Sequence, residues 1–207
     1  MVGEKANSTW RVCSASSKIG SLYCLTDKEL QTGSRDGNTD SSGMEKPPED
    51  FLMVNVDASY DENRDSGRTG GIIRDCSGDM IVAASRYIPH LVDAPMAEAF
   101  ALKDGLMLSQ QIGGNRIIIQ SDCMEVTEIM SNEGFTTNSA AAIYDECNTV
   151  WTGFQKISIE LVSRDANQVA HALARQAMIS NENYMWDDEP PIFILPMLAN
   201  DVTLFNQ

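Results

Sequence analysis

The sequence predicts an α/β domain: a five-stranded mixed sheet, strands 1–3 antiparallel and strands 4–5 parallel, flanked by helices and preceded by a disordered N-terminal extension. Three observations predict it. From residue 51 onward, apolar runs and helical stretches follow the order β-β-β-α-β-α-α-β-α. The second and third runs are separated only by Cys76-Ser77-Gly78-Asp79, a turn-forming cluster that suits an antiparallel meander. A helix then intervenes before the next strand, which is the crossover a parallel pair requires.

The elements follow in chain order. "FLMVNVDA" (51–58) is rich in strand formers, as are "GGIIRD" (70–75) and "MIVAASRYI" (80–88). Asp93 and Pro95 open a helix that runs to about Ile112, where Gly113-Gly114 stops it. "RIIIQSD" (116–122) is a short continuous apolar run, the sign of a strand buried on both faces. Helical stretches follow at 123–132 and 139–153, then the strand "KISIELVS" (156–163). Asp165 opens the last helix, with Gln168 three residues on in a capping-box spacing. This helix contains "NQVAHALARQA" (167–177), where His171, one of only two histidines, sits among alanines and leucine.

Length and composition bound the rest. A chain of 207 residues suits one domain with extensions. Residues 51–180 form that domain, and residues 181–207 read as an acidic, Pro-containing tail with five acids and no base. Residues 27–50 are dominated by Gly, Ser, Asp and Pro and read as a disordered linker; residues 1–26 are expected to be poorly ordered. Five cysteines without a C-x-x-C pair point to a reducing compartment and away from a disulfide framework or zinc ribbon. No apolar run has the length of a membrane span or of a signal segment. The expectation is an intracellular protein of the nucleus or cytoplasm, not secreted, with no membrane partner. The net charge of −15 comes without any basic run, which counts against strong non-specific nucleic-acid binding.

Three carboxylates stand out. Asp57 interrupts an apolar strand, although a strand end facing water would explain it as well. Glu98 is the only charge on the helical face Ala94, Glu98, Ala101, Gly105, Leu108 and Ile112. A carboxylate turned inward needs a partner or a metal; a slight helix rotation would instead let it reach water near the helix N-terminus, where negative charge is favoured. Asp122 ends its strand, and with Glu125 it also has capping-box spacing. If the strands at 53–57 and 116–122 are parallel neighbours, Asp57 and Asp122 emerge at the same carboxyl edge, where α/β sheets bind ligands. Glu98 can reach that point from the connecting helix. Three carboxylates there would repel unless hard divalent ions such as Mg²⁺ or Mn²⁺ neutralised them. Two such ions about 4 Å apart would serve phosphodiester hydrolysis.

In "VNVDASY", "GGIIRDCSGDMIVAASRYI", "AEAFALKDGLMLS", "IIIQSDC" and "VSRDANQVAHALARQA", residues 51–177 resemble the type-1 ribonuclease H domain. The version is the one abundant in plant genomes and related to retroelements, and "WDDEPPIFI" is similar to how such chains end. The resemblance implies a ribonuclease H-like fold and a metal-dependent endonuclease that cuts the RNA strand of RNA–DNA hybrids. It also implies an Asp-Glu-Asp-Asp set holding two Mg²⁺. The matching catalytic and metal-ligating residues are Asp57, Glu98 and Asp122, with His171 in place of the fourth acid. Imidazole suits Mn²⁺, Fe or Zn²⁺ better than Mg²⁺; general acid–base work and a plain surface histidine remain open for His171. The rival function is a catalytically weak or inactive module that binds nucleic acid or protein. Arg68, Arg74, Arg86, Arg116, Arg164 and Arg175 are scattered in sequence, so hybrid binding is expected to be weak and salt-sensitive.

Overall fold

The computed structural model describes residues 11–13, 47–132 and 136–199. Its strands are β1 (Arg11–Cys13), β2 (Leu52–Asp61), β3 (Ser66–Arg74), β4 (Met80–Pro89), β5 (Arg116–Ser121), β6 (Lys156–Leu161) and β7 (Tyr184–Asp187). Its helices are α1 (Ala94–Gln111), α2 (Met124–Ser131), α3 (Ala141–Trp151) and α4 (Gln168–Ser180). All strands join one mixed sheet in the order β1-β7-β4-β3-β2-β5-β6. The expected antiparallel β2-β3-β4 meander and the parallel β2-β5-β6 set are both present. None of the helices among the described residues is long and apolar enough to cross a membrane.

Strand alternation sorts the side chains into two cores. Val54, Val56, Ile73, Val82, Ile117 and Ile119 face α1 and α3, where they meet Leu102, Leu106 and Tyr144. Their neighbours Ile72 and Ala83 face the other way, onto Val169 and Leu173 of α4. The sheet is therefore covered on both sides, which is why its central strands read as unbroken apolar runs rather than alternating ones.

The sheet has seven strands where five were expected. Tyr184–Asp187, within the stretch read as a tail, pairs antiparallel with β4. Its Trp186 packs with Ile72, Leu173 and Ile194, so aromatic burial holds a segment whose overall composition is acidic. Arg11–Cys13, within the extension read as poorly ordered, pairs parallel with β7. Three residues are too few to show a period, and the strand exists only because β7 offers it an edge. The poor order expected for residues 1–10 and 14–46 lies outside the described residues.

Two helix starts also differ from expectation. Cys123 is the N-cap residue of α2 and no side chain caps it, so Asp122 does not act as a cap. The last helix opens through Ser163, whose side chain accepts from the Ala166 amide, and not through Asp165. A 3-10 turn at Arg164–Asn167 precedes α4. The α1 start is as read, with the Asp93 carboxylate accepting from the Met96 amide at 3.0 Å.

Candidate active site

Register places the first two acids together. Asn55 lies opposite Gln120 in the parallel β2-β5 pair, so Asp57 and Asp122, each two residues farther, leave the same end of the sheet. Asp57 is not a strand end in water: β2 continues to Asp61, and Asp57 is only 4% exposed. Behind it, Asn55 donates to Gln120 and Gln120 donates to Glu160, each at 3.1 Å. This polar ladder ties three strands together below the two acids.

The helices bring the other groups. α1 lies close on β2 because Gly105 leaves room for Val56; a Cβ there would stand 2.6 Å from Val56 Cγ1. That contact fixes the helix whose first turns carry Glu98. α4 crosses the opposite face and carries His171, whose Nδ1 lies 2.8 Å from Asp57 Oδ2. The His171 side chain is 40% exposed and its partner 5%. Asn167, one turn earlier, donates from Nδ2 to the Val56 carbonyl and to Asp122 Oδ1, both at 2.9 Å.

Electrostatics joins Glu98 to the group. Burial first, then the charges of Asp57 and Asp122, push its pKa up to about 8, while Arg164 opposes the shift. Asp57 is raised to about 6, by burial and then by Asp122, against the pull of His171. Negative charge is thus in excess here. Among the described residues, however, no three His, Cys, Asp or Glu side chains already form a cation cage.

A pH dependence of stability follows. A carboxyl whose folded pKa exceeds its unfolded value stabilises the fold below the unfolded pKa, and this contribution is lost as pH rises through the folded pKa. For Asp57 and Glu98 the window runs from about 4 to about 8. In chelator, the melting temperature should fall across that window, and Glu98→Gln should flatten the upper part. The gain at pH 8 should be on the order of 1–3 kcal/mol. Equal slopes for parent and variant in calorimetric melts would contradict the electrostatic account.

Of the expected residues, Asp57 and His171 are in direct contact, Asp122 is tied by Asn167 to the β2 backbone beside Asp57, and Glu98 is coupled through charge. Asn167 was not singled out in the sequence; its only signal was an amide one helical turn before His171. Four of the six arginines are placed by burial or by other contacts. Arg68 and Arg74 are buried, Arg86 pairs with Asp104 at 2.5 Å, and Arg116 stacks on Phe51 with its guanidinium carbon 4.8 Å from the ring centre. Arg164 is the cation whose charge reaches the acids.

Residues 55–177, well over half of the chain, match the model of a family described as reverse transcriptase-like. No curated protein matches the sequence. Ribonuclease H1 from the halophilic archaeon Halobacterium salinarum is similar at 21% identity and a TM-score of 0.59, over 63% of this chain and 98% of that one. The N-terminal ribonuclease H domain of a Mycobacterium tuberculosis protein is similar at 20% identity and 0.57, over 63% and 94%. LC11 ribonuclease H1, isolated from compost and solved in complex with an RNA/DNA hybrid, is similar at 16% identity and 0.57, over 63% and 98%. At these identities the solved structures establish the fold, which is the one reached above from strand order and register. The chain belongs to the reverse transcriptase-like family and has a ribonuclease H-like fold.

Proposed function

We propose that the protein is a metal-dependent endonuclease that hydrolyses the RNA strand of RNA–DNA hybrids. The observation that carries this reading is the grouping of Asp57, Asp122 and Glu98, where burial first and then their mutual charge raise the pKa values of Asp57 and Glu98. The hybrid as substrate is carried over from the LC11 relative, which is described with one bound.

The donor set fits hard divalent ions: it is oxygen-rich, partly buried, and carries more negative charge than Arg164 offsets. Asp57, Glu98, Asp122 and His171 would hold two Mg²⁺ or Mn²⁺ ions. When bound, such ions polarise the phosphate and lower the pKa of water. The chain's own residues set the stage for this. The ladder below Asp57 fixes the strand, and the covering helices exclude water from its inner side. With Nδ1 on Asp57, His171 keeps Nε2 for a cation or a proton. With few basic groups near the site, hybrid binding depends on shape and 2′-hydroxyl contacts and is weak and salt-sensitive.

The test is cleavage of labelled hybrid, double-stranded RNA and duplex DNA by the full chain, in Mg²⁺ and in Mn²⁺. Hybrid-selective cleavage supports the reading; no cleavage in either ion sinks it. A second reading, a non-catalytic binding module, is favoured by one feature: the imidazole at the fourth position engages Asp57 and removes a negative charge. Hybrid binding without cleavage would support it.

His171 also supplies a prediction. His171→Asp restores an all-oxygen set and should raise activity in Mg²⁺ relative to Mn²⁺ by about tenfold. Identical metal profiles for parent and variant would return His171 to a surface role.

A further inference from the structure

We propose that Asn167 is a positioning residue that holds Asp122 in register with Asp57 for divalent-cation binding; this rests on the metal-site reading above. Asn167 is 1% exposed, and its Nδ2 donates to both the Val56 carbonyl and Asp122 Oδ1. A backbone carbonyl and a carboxylate oxygen both accept, so the amide presents its NH₂ to them. Its Oδ1 is buried without a hydrogen-bond partner. An asparagine that leaves one end unsatisfied in a buried setting gives up free energy to make the contacts at the other end.

Those contacts join the two strands that carry the acids. Val56 precedes Asp57 on β2, and Asp122 follows β5. Asp57 and Asp122 leave neighbouring strands at the same end, and two carboxylates so placed repel. An N–H bridging the β2 backbone and the Asp122 carboxylate keeps Asp122 from swinging out to water. Four residues on, His171 holds Asp57. Both acids are therefore fixed from the start of one helix, Asp122 by the N-cap residue of α4 and Asp57 one turn later, and a cation meets a pair already in place.

The plainer role is a tether that docks α4 on β2 through the Val56 carbonyl. A tether predicts lost stability with unchanged cation affinity. Ser85 provides the comparison: its Oγ donates to the Leu173 carbonyl at 2.7 Å and docks α4 on β4, two strands from Asp57.

The experiment is calorimetric Mn²⁺ titration, with thermal melts, of the full chain and its Asn167→Ala, Asn167→Ser and Ser85→Ala variants. Asn167→Ala should weaken Mn²⁺ binding by about tenfold or more, the size expected when a group orienting a metal ligand is lost. Asn167→Ser serves if the alanine variant does not fold. Ser85→Ala should lower the melting temperature and leave Mn²⁺ affinity within about threefold of the parent. The proposal is overturned if the parent binds no Mn²⁺, or if Asn167 variants bind within threefold of it. It is overturned too if Ser85→Ala weakens binding equally, or if both Asn167 variants lose native circular dichroism. Loss of Mn²⁺ affinity in a protein that does not cleave hybrid would support the role of Asn167 while ending the nuclease reading.

Discussion

Asp57→Asn will lower hybrid cleavage by about 100-fold or more, the size of effect seen when a group stabilising transition-state charge is removed. The same substitution will raise the melting temperature of the metal-free chain near pH 8. Both effects have one cause. Asp57 sits buried on β2 beside Asp122, and burial and that neighbour lift its pKa to about 6. Above that pH the fold holds a charge it would be more stable without. Asparagine has nearly the same shape and no charge, so the free-energy gain should be roughly 1–3 kcal/mol, or several degrees for a domain of this size. It can still meet the His171 ring, because imidazole Nδ1 accepts in one tautomer and donates in the other. Rate is read on labelled hybrid in Mg²⁺ and Mn²⁺, and stability by melts in chelator. A rate within about threefold of the parent would remove Asp57 from the machinery. Lost activity together with lost stability would mean that asparagine had damaged the fold, and the metal assignment would then rest on Asp122→Asn alone.

The central sheet was legible because its signals are local. The β3-β4 connection carries its turn residues, and the run at Arg116–Ser121 could be read as a strand from its isoleucines alone, although Ile118, opposite in face to Ile117 and Ile119, is only half-buried. The edges were not legible, for a physical reason. Tyr184–Asp187 is four residues long and its hold on the sheet comes from Trp186 packing against Ile194 and Leu173, contacts distant from β4 in sequence or invisible in a local period. Arg11–Cys13 depends in turn on that strand. Caps failed in a similar way. Asp122 and Asp165 have the spacing of capping boxes, but Asp122 is taken by Asn167 and Ser163 reaches the orphan amide before Asp165 can.

The site shows the same division. Asp57, Asp122 and Glu98 could be singled out because a carboxylate on an apolar strand or an inward helical face is costly without a reason. What the sequence withheld is how they are held. Asn167 bridges positions 111 and 45 residues away, and no spacing rule connects residue 167 with residues 56 and 122. His171 was noticed for its rarity among alanines; its bond to Asp57 depends on where α4 crosses the sheet.

That crossing is set by one glycine, and Gly70→Ala is expected to damage the protein more than any other single methyl group. Gly70 lies opposite Asp57 on β2 and Ser85 on β4. A Cβ at Gly70 would stand 2.2 Å from the Ala170 carbonyl oxygen, 2.3 Å from the Ala174 amide nitrogen and 2.9 Å from the Leu173 carbonyl carbon. All three are helix backbone, which cannot move aside as a flexible side chain does, so α4 must lift. Overpacking of this kind costs about 3 kcal/mol or more, equivalent to a fall of roughly 6–12 °C in melting temperature. Lifting α4 would also part His171 from Asp57 and Asn167 from Asp122, so Mn²⁺ affinity should fall with stability. The adjacent glycine is the control. A Cβ at Gly71 would meet only the Asn55 carbonyl oxygen, at 3.8 Å, an ordinary contact. Gly71→Ala should therefore stay within about 1 kcal/mol of the parent and keep its Mn²⁺ affinity. Equal melts for the two variants would mean that α4 does not rest on Gly70. A Gly70→Ala protein that melts early yet binds Mn²⁺ as tightly as the parent would separate the helix seat from the acids it carries.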